Sequence, residues 1–190
     1  MQTSRDGAGA ADRRYAMLLH DKTVGILIGE GFEELEFWVV YMRLIEEGAA
    51  VKLIGSRSGE EYHGKHGALP VKSRHSAADV RSENLDALHV PGGWAPDRIR
   101  RDKNMIALVR GMNEKGRIIG MICHGGLVGI SAGIVTGKKA TGSEGIKDDL
   151  VNAGAVWVDA PAFRDGNLVW GRVVEDIPAY CREFINAIAG

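Results

Sequence analysis

Cysteine is scarce in this chain, with 2 in 190 residues. In the cytoplasm, where the chain is expected, thiols stay reduced, so Cys123 and Cys181 read as two free thiols rather than a disulfide. An excess of one charge is also lacking. Lys plus Arg number 24 against 25 Asp plus Glu, and the pI lies near 6.6, so the basic surplus that holds phosphate backbones is missing and no nucleic-acid partner is expected. Long apolar runs are missing too. No window approaches the roughly 18 residues of a membrane span. The run "AMLL" near the start falls short of the roughly 7 to 15 apolar residues of a signal-peptide core, so neither membrane nor secretion is expected. Histidine, finally, does not occur after position 124.

What is there suffices for one ordinary domain, since 45% of the residues are apolar. Residues 1–21 are small, polar and charged and read as a flexible N-terminal arm, leaving 22–190 as the domain. "TVGILIG" is a short apolar run ending in glycine, the pattern of a strand buried on both faces. "FEELEFWVVYMRLIEEGA" follows as a helix, with Leu35, Val39, Met42 and Ile45 near helical spacing and Gly48 as its stop. "AVKLIG" is a second strand, so the order implies a parallel sheet with a right-handed crossover. "GEEYHGKHGALPVKSRHSAADV" reads as a small hairpin excursion. The alternation then resumes with "DALHVPGG" as a strand, "DRIRRDKNMIALVRGMNEKG" as a helix and "RIIGMI" as a strand running into Cys123. "HGGLVGISAG" and "KDDLVNAGA" read as short helices, "AVWVD" as a strand, "FRDGNLVWG" as a hairpin and "IPAYCREFINAIAG" as the closing amphipathic helix. The consistent solution is an open, doubly wound α/β sandwich, which builds its site at the carboxyl ends of the strands.

Three segments end strands at that edge: "GEGFEELEF", "PGGWAPDR" and "CHGG". Cys123 stands where a strand hands over to a helix, so the helix dipole and unpaired N–H groups favour its thiolate. A buried structural cysteine is the alternative. Gly125 and Gly126 give the turn room, as in a nucleophile elbow, although Met121 replaces the first glycine of that pattern. Papain-like, amidotransferase-type and hydrolase-type sites need a base well downstream. None exists here, so the base is His124 itself or an earlier histidine. Acids come from the other two segments: Glu33, Glu34 and Glu36 begin a helix, where carboxylates also serve as plain surface or capping residues, and Asp97 also fits a helix cap. Gly92 and Gly93 form a tight turn that could aim an N–H at an oxyanion.

Lesser signals carry no site. His63 and His66 in "HGKH" lack a third ligand in their segment and read as a solvated loop, so no metal is expected. Cys181 reads as a packing residue, and Trp38, Trp157 and Trp170 as core or interface. "GEGFEE" fails the dinucleotide fingerprint at Glu34, "AGIVTGKKA" fails the P-loop pattern at Ala132 and Lys139, and no cofactor is expected.

Together, "GFEELE", "GKHG", "PGGWAPDRIR", "ICHGGLVGISAG" and "GIKDDLVNAGA" resemble the ThiJ/PfpI superfamily, that of the human parkinsonism-associated deglycase, in its intracellular-protease or general-stress-protein branch. The resemblance runs from Lys22 to Ala189. It implies a flavodoxin-like fold, Cys123 as nucleophile, His124 as its base, and Glu36 as a protonated carboxyl donating to the thiolate. It also implies Asp97 as the acid that orients the histidine across a subunit interface, with N–H groups of Gly93 and His124 at the oxyanion. Trp94 after "PGG" and Gly126, where a proline is common, imply a pocket mouth with its own preferences. The expected activity is that of a homo-oligomeric, cysteine-dependent stress-response hydrolase acting on peptide or carbonyl-adduct substrates through Cys123, His124 and Asp97. Glyoxalase or deglycase action on methylglyoxal or its adducts, and a non-enzymatic redox sensor or chaperone, are the alternatives.

Overall fold

The computed structural model describes residues 17–190. Its main sheet has seven strands: β1 (Thr23–Leu27), β2 (Ala50–Gly55), β5 (His75–Ser76), β6 (Ala87–Val90), β7 (Ile118–Ile122), β10 (Ala162–Asp165) and β11 (Leu168–Gly171). They lie in the order β10, β11, β7, β6, β1, β2, β5. Every neighbouring pair is parallel except the β10–β11 hairpin. Two small two-stranded sheets stand outside it: β3 (Glu61–Tyr62) with β4 (Val71–Lys72), and β8 (Lys139–Ala140) with β9 (Val156–Trp157).

Among the described residues six helices complete the sandwich: α1 (Glu34–Glu46), α2 (Ala95–Ile99), α3 (Lys103–Glu114), α4 (Gly126–Ala132), α5 (Lys147–Asn152) and α6 (Ile177–Ala189). α1 packs on α6, while α4 packs against α2, α3 and α5. The central strands β6 and β7 are buried along their whole length, as layers on both faces require. From β1 the chain steps outward to β2, then returns to β6 on the other side, so the winding reverses between β1 and β6. Crevices at such switch points are where open α/β sheets bind ligands. The fold is the expected doubly wound one.

Several local expectations are corrected. Leu35, Val39, Met42 and Ile45 face solvent, at 36 to 59% exposure, and α1 buries Glu36, Phe37, Val40 and Leu44 instead. The true stripe also has helical spacing, but it contains a carboxyl and so does not show as an apolar period. The long helix expected after "GGWAP" is two, because Asp102 caps a new start, accepting from Asn104 N at 2.8 Å and Met105 N at 3.2 Å. "AVWVD" is a strand as expected, paired with β8 outside the main sheet, whereas His75–Ser76, within the supposed excursion, adds the main sheet's edge strand. The arm expected over 1–21 lies outside the described residues up to 16. Its last part docks on the domain, with Leu19 fully buried and its N–H donating to the Glu47 carbonyl at 2.8 Å.

Candidate active site

β7 ends at Ile122, and the next residue, Cys123, takes φ 56°, in the left-handed region. That conformation costs a residue with a Cβ roughly 1–2 kcal/mol, which the surrounding packing must offset. A single tight turn, Cys123–Gly125, then leads into α4. The elbow is therefore made by the cysteine itself. Gly125 keeps an ordinary helical φ of −52°, and its need for glycine is space, since a Cβ there would stand 2.5 Å from the Val90 carbonyl oxygen of β6.

The elbow brings Cys123 Sγ within 3.3 Å of His124 Nδ1. Burial, then the positive charge of Lys65, depress the imidazole pKa, which favours a neutral ring able to accept a proton. The N–H groups of His124 and Gly93 point at the sulfur. Gly93 adopts φ 75°, and its turn is stitched to the segment after β1, with Trp94 N donating to the Gly31 carbonyl at 2.7 Å. Gly92 donates its N–H to Glu36 Oε2 at 2.7 Å and lies so close to the site that a Cβ would come 2.8 Å from that of Cys123.

Glu36 is fully buried, and burial pushes its pKa up to about 7. Its Oε1 has no hydrogen-bond partner of the usual kind, and the Cys123 side chain is the group beside the carboxyl. A buried anion with an orphaned oxygen is costly, whereas a carboxylic acid turns that oxygen into a donor to sulfur. Burial, and then the Glu36 charge, push the Cys123 thiol up to about 12, against the pull of the His124 and Gly93 N–H groups. Desolvation thus opposes the pull that the helix dipole and the two N–H groups exert on the thiol. Glu36 acts by repulsion between two anions and then by a hydrogen bond that keeps the proton on sulfur, and both vanish when the pair's proton sits on the carboxyl.

Trp94 and Asp97 lie beside this centre, lining a surface pocket of about 370 Å³ together with Gly93, Arg98, Arg101, His124 and Leu127. Trp94 is 65% exposed. Within the chain Asp97 pairs with Arg101 at 2.9 Å and does not meet His124. The acid whose charge acts on the imidazole is Asp149 of α5. Sequence reasoning also missed Lys65. Its ammonium rests 2.5 Å from Glu33 Oε2, and its N–H donates to the Phe32 carbonyl at 2.9 Å, so the β3–β4 loop closes over the start of α1. The signal was Gly64 of "GKHG", where a Cβ would collide with the Glu34 carboxylate. His66 stays exposed, as a solvated loop implies, and is paired with Glu34, with Nδ1 and Oε2 3.0 Å apart. Glu33, Glu34 and His66 bring ligand atoms within 4.8 Å of one another, but Lys65 already supplies the positive charge there.

A strained elbow that presents a thiol beside a base, at the switch point of a doubly wound sheet, defines a cysteine-dependent hydrolase. The chain belongs to the DJ-1/PfpI family, whose model matches residues 22–187. It is 41% identical over 162 residues to "Deglycase PH1704" of Pyrococcus horikoshii, covering 85% of this chain and 96% of that one. "General stress protein 18" of Bacillus subtilis is 33% identical over 163 residues, covering 85% and 95%. The crystal structure of Drosophila melanogaster DJ-1beta superposes with a TM-score of 0.83 at 26% identity, covering 89% of this chain and 91% of that one.

Proposed function

We propose that the chain hydrolyses reactive carbonyl compounds or their adducts through Cys123, with His124 moving the proton. The observation that carries this is the 3.3 Å approach of Sγ to Nδ1 above a buried carboxyl able to hold the pair's proton. With an α-oxoaldehyde, the sulfur adds to the aldehyde carbon and the carbonyl oxygen takes up a proton, giving a hemithioacetal. His124 then moves the carbon-bound proton to the neighbouring carbon, so that the adduct becomes the thioester of a hydroxyacid. Water releases the acid and restores the thiol. A peptide would reach a thioester by expelling an amine, so the same groups serve both substrates. The N–H groups of Gly93 and His124, aimed at sulfur in the resting site, are the donors closest to a developing oxyanion. The relatives' deglycase names favour the carbonyl substrate.

The working form is a homo-oligomer. The exposed apolar face of α1 supports a second copy as its cover, and Asp97, 68% exposed beside the site pocket, has its carboxylate turned outward. In that assembly Asp97 of one subunit orients His124 of another. The free thiols suit the cytoplasm. Purified protein given methylglyoxal and a peptide separately tests the reading. Hydroxyacid release that disappears in Cys123→Ala is expected, and full turnover by that variant refutes the mechanism.

A further inference from the structure

His89 lies inside β6 with no exposure, and the chemistry above makes no use of it. Its Nε2 is 3.0 Å from the backbone oxygen of Glu36, and its Nδ1 is 2.7 Å from the Tyr180 hydroxyl of α6. A carbonyl only accepts, so Nε2 carries the hydrogen. In the neutral ring Nδ1 is then an acceptor, and the Tyr180 hydroxyl donates to it. One arrangement of protons satisfies all three groups. Burial holds His89 down to about 4, so the ring stays neutral at physiological pH.

The hydrogen bond to Glu36 is not there to rescue an unpaired backbone group. In a helix that carbonyl already accepts from the residue four positions on, so the imidazole engages its second lone pair. The contact instead fixes where the first turn of α1 sits, a turn with no side-chain cap of its own. Space is reserved for the partner as well: a Cβ on Gly120 of β7 would collide with the Tyr180 hydroxyl, and one on Gly171 would stand 2.8 Å from the Tyr180 ring. The Phe184 ring stacks on Tyr180 at 5.7 Å and closes the far side.

We propose that His89 and Tyr180 are positioning residues for the reactive thiol: they clamp the α1 backbone at Glu36 and so hold its carboxyl against the Gly92 N–H and the Cys123 side chain. The proposal rests on the reading of Cys123 and Glu36 as the reactive pair. The other titratable groups acting on this network are Glu33 before α1, Lys65 of the β3–β4 loop, His124 of the elbow with Asp149 of α5 acting on it, and Cys181 of α6 beside Tyr180. None of these groups is itself changed by replacing His89 or Tyr180.

The test is the pH dependence of iodoacetamide alkylation at Cys123, followed by mass on the intact full-length chain in His89→Phe, Tyr180→Phe and Glu36→Gln and in the doubles with Glu36→Gln. In the first two, the alkylation midpoint is expected to move by about half a unit or more. In a Glu36→Gln background the same substitutions should move it no further. Tyr180→Phe keeps the ring and removes only the hydroxyl, so it carries the test if His89→Phe loses its circular-dichroism signature of folding. An unchanged midpoint in a folded variant overturns the proposal, and so does an equal shift in the Glu36→Gln background. If methylglyoxal is turned over, kcat should fall about tenfold with KM within about twofold. Alkylation needs no substrate, so a midpoint shift in a protein that turns over neither methylglyoxal nor peptide upholds the clamp and removes only the proposed activity.

Discussion

Replacing Glu36 by Gln should make the protein more stable at neutral pH. Burial raises this carboxyl from 4.5 to about 7. Because the folded-state pKa is the higher one, the folded chain keeps a proton that the unfolded chain gives up between those values. The stability this group confers is therefore complete below about pH 4.5 and is lost as pH rises to about 7. A rise of about 2.5 pH units, at about 1.4 kcal/mol each, is a loss of about 3 kcal/mol. Gln keeps an oxygen for the Gly92 N–H and offers an amide hydrogen toward the sulfur, yet has no proton to lose. The stability of the wild type minus that of Glu36→Gln should accordingly fall by about 3 kcal/mol across this window and stay flat on either side. His89 titrates over the same range with the opposite sign: its pKa is depressed from 6.5 to about 4, so its contribution is lost as pH falls. It is common to both proteins and cancels in the difference. Urea unfolding at closely spaced pH values from 4 to 8 gives the curve. A difference constant to about 0.5 kcal/mol would refute the claim that the carboxyl is held protonated by burial.

Two further outcomes follow from the same contacts. Gly92→Ala would place a Cβ 2.6 Å from Glu36 Oε2 and 2.9 Å from His124 N, so it should cost about 1–3 kcal/mol in urea unfolding and slow Cys123 alkylation more than tenfold; wild-type values for both would show that the turn has slack. Met42→Glu puts a charge on a side chain that is 59% exposed, so the isolated fold should be untouched while the proposed assembly dissociates in analytical ultracentrifugation; an unchanged sedimentation coefficient would refute the α1 face as the subunit contact.

How far the sequence announces this architecture depends on the range of the forces involved. β6 and β7 stand out because strands covered on both faces must be apolar throughout, and the parallel order they imply puts "PGG" and "CHGG" at the same sheet edge. The adjacency of Cys123 and His124 is likewise a local matter. α1 resists such a reading because its buried stripe runs through Glu36, the one residue of that face whose burial is repaid by the site rather than by the core. Lys65 on Glu33 and Tyr180 on His89 join residues 32 and 91 positions apart, and no periodicity reports contacts of that kind. The state of the thiol shows the same limit most sharply. A strand-to-helix handover is visible in sequence and argues for a thiolate, with the dipole worth up to about 2 kcal/mol in favourable, partly buried sites. The opposing cost of taking the sulfur out of water depends on Gly92, Gly93 and Glu36 closing around it from two other strand ends. Local electrostatics therefore favours an acidic thiol, tertiary burial opposes it, and the proton shared with Glu36 makes the nucleophile's charge a property of the pair rather than of the cysteine alone.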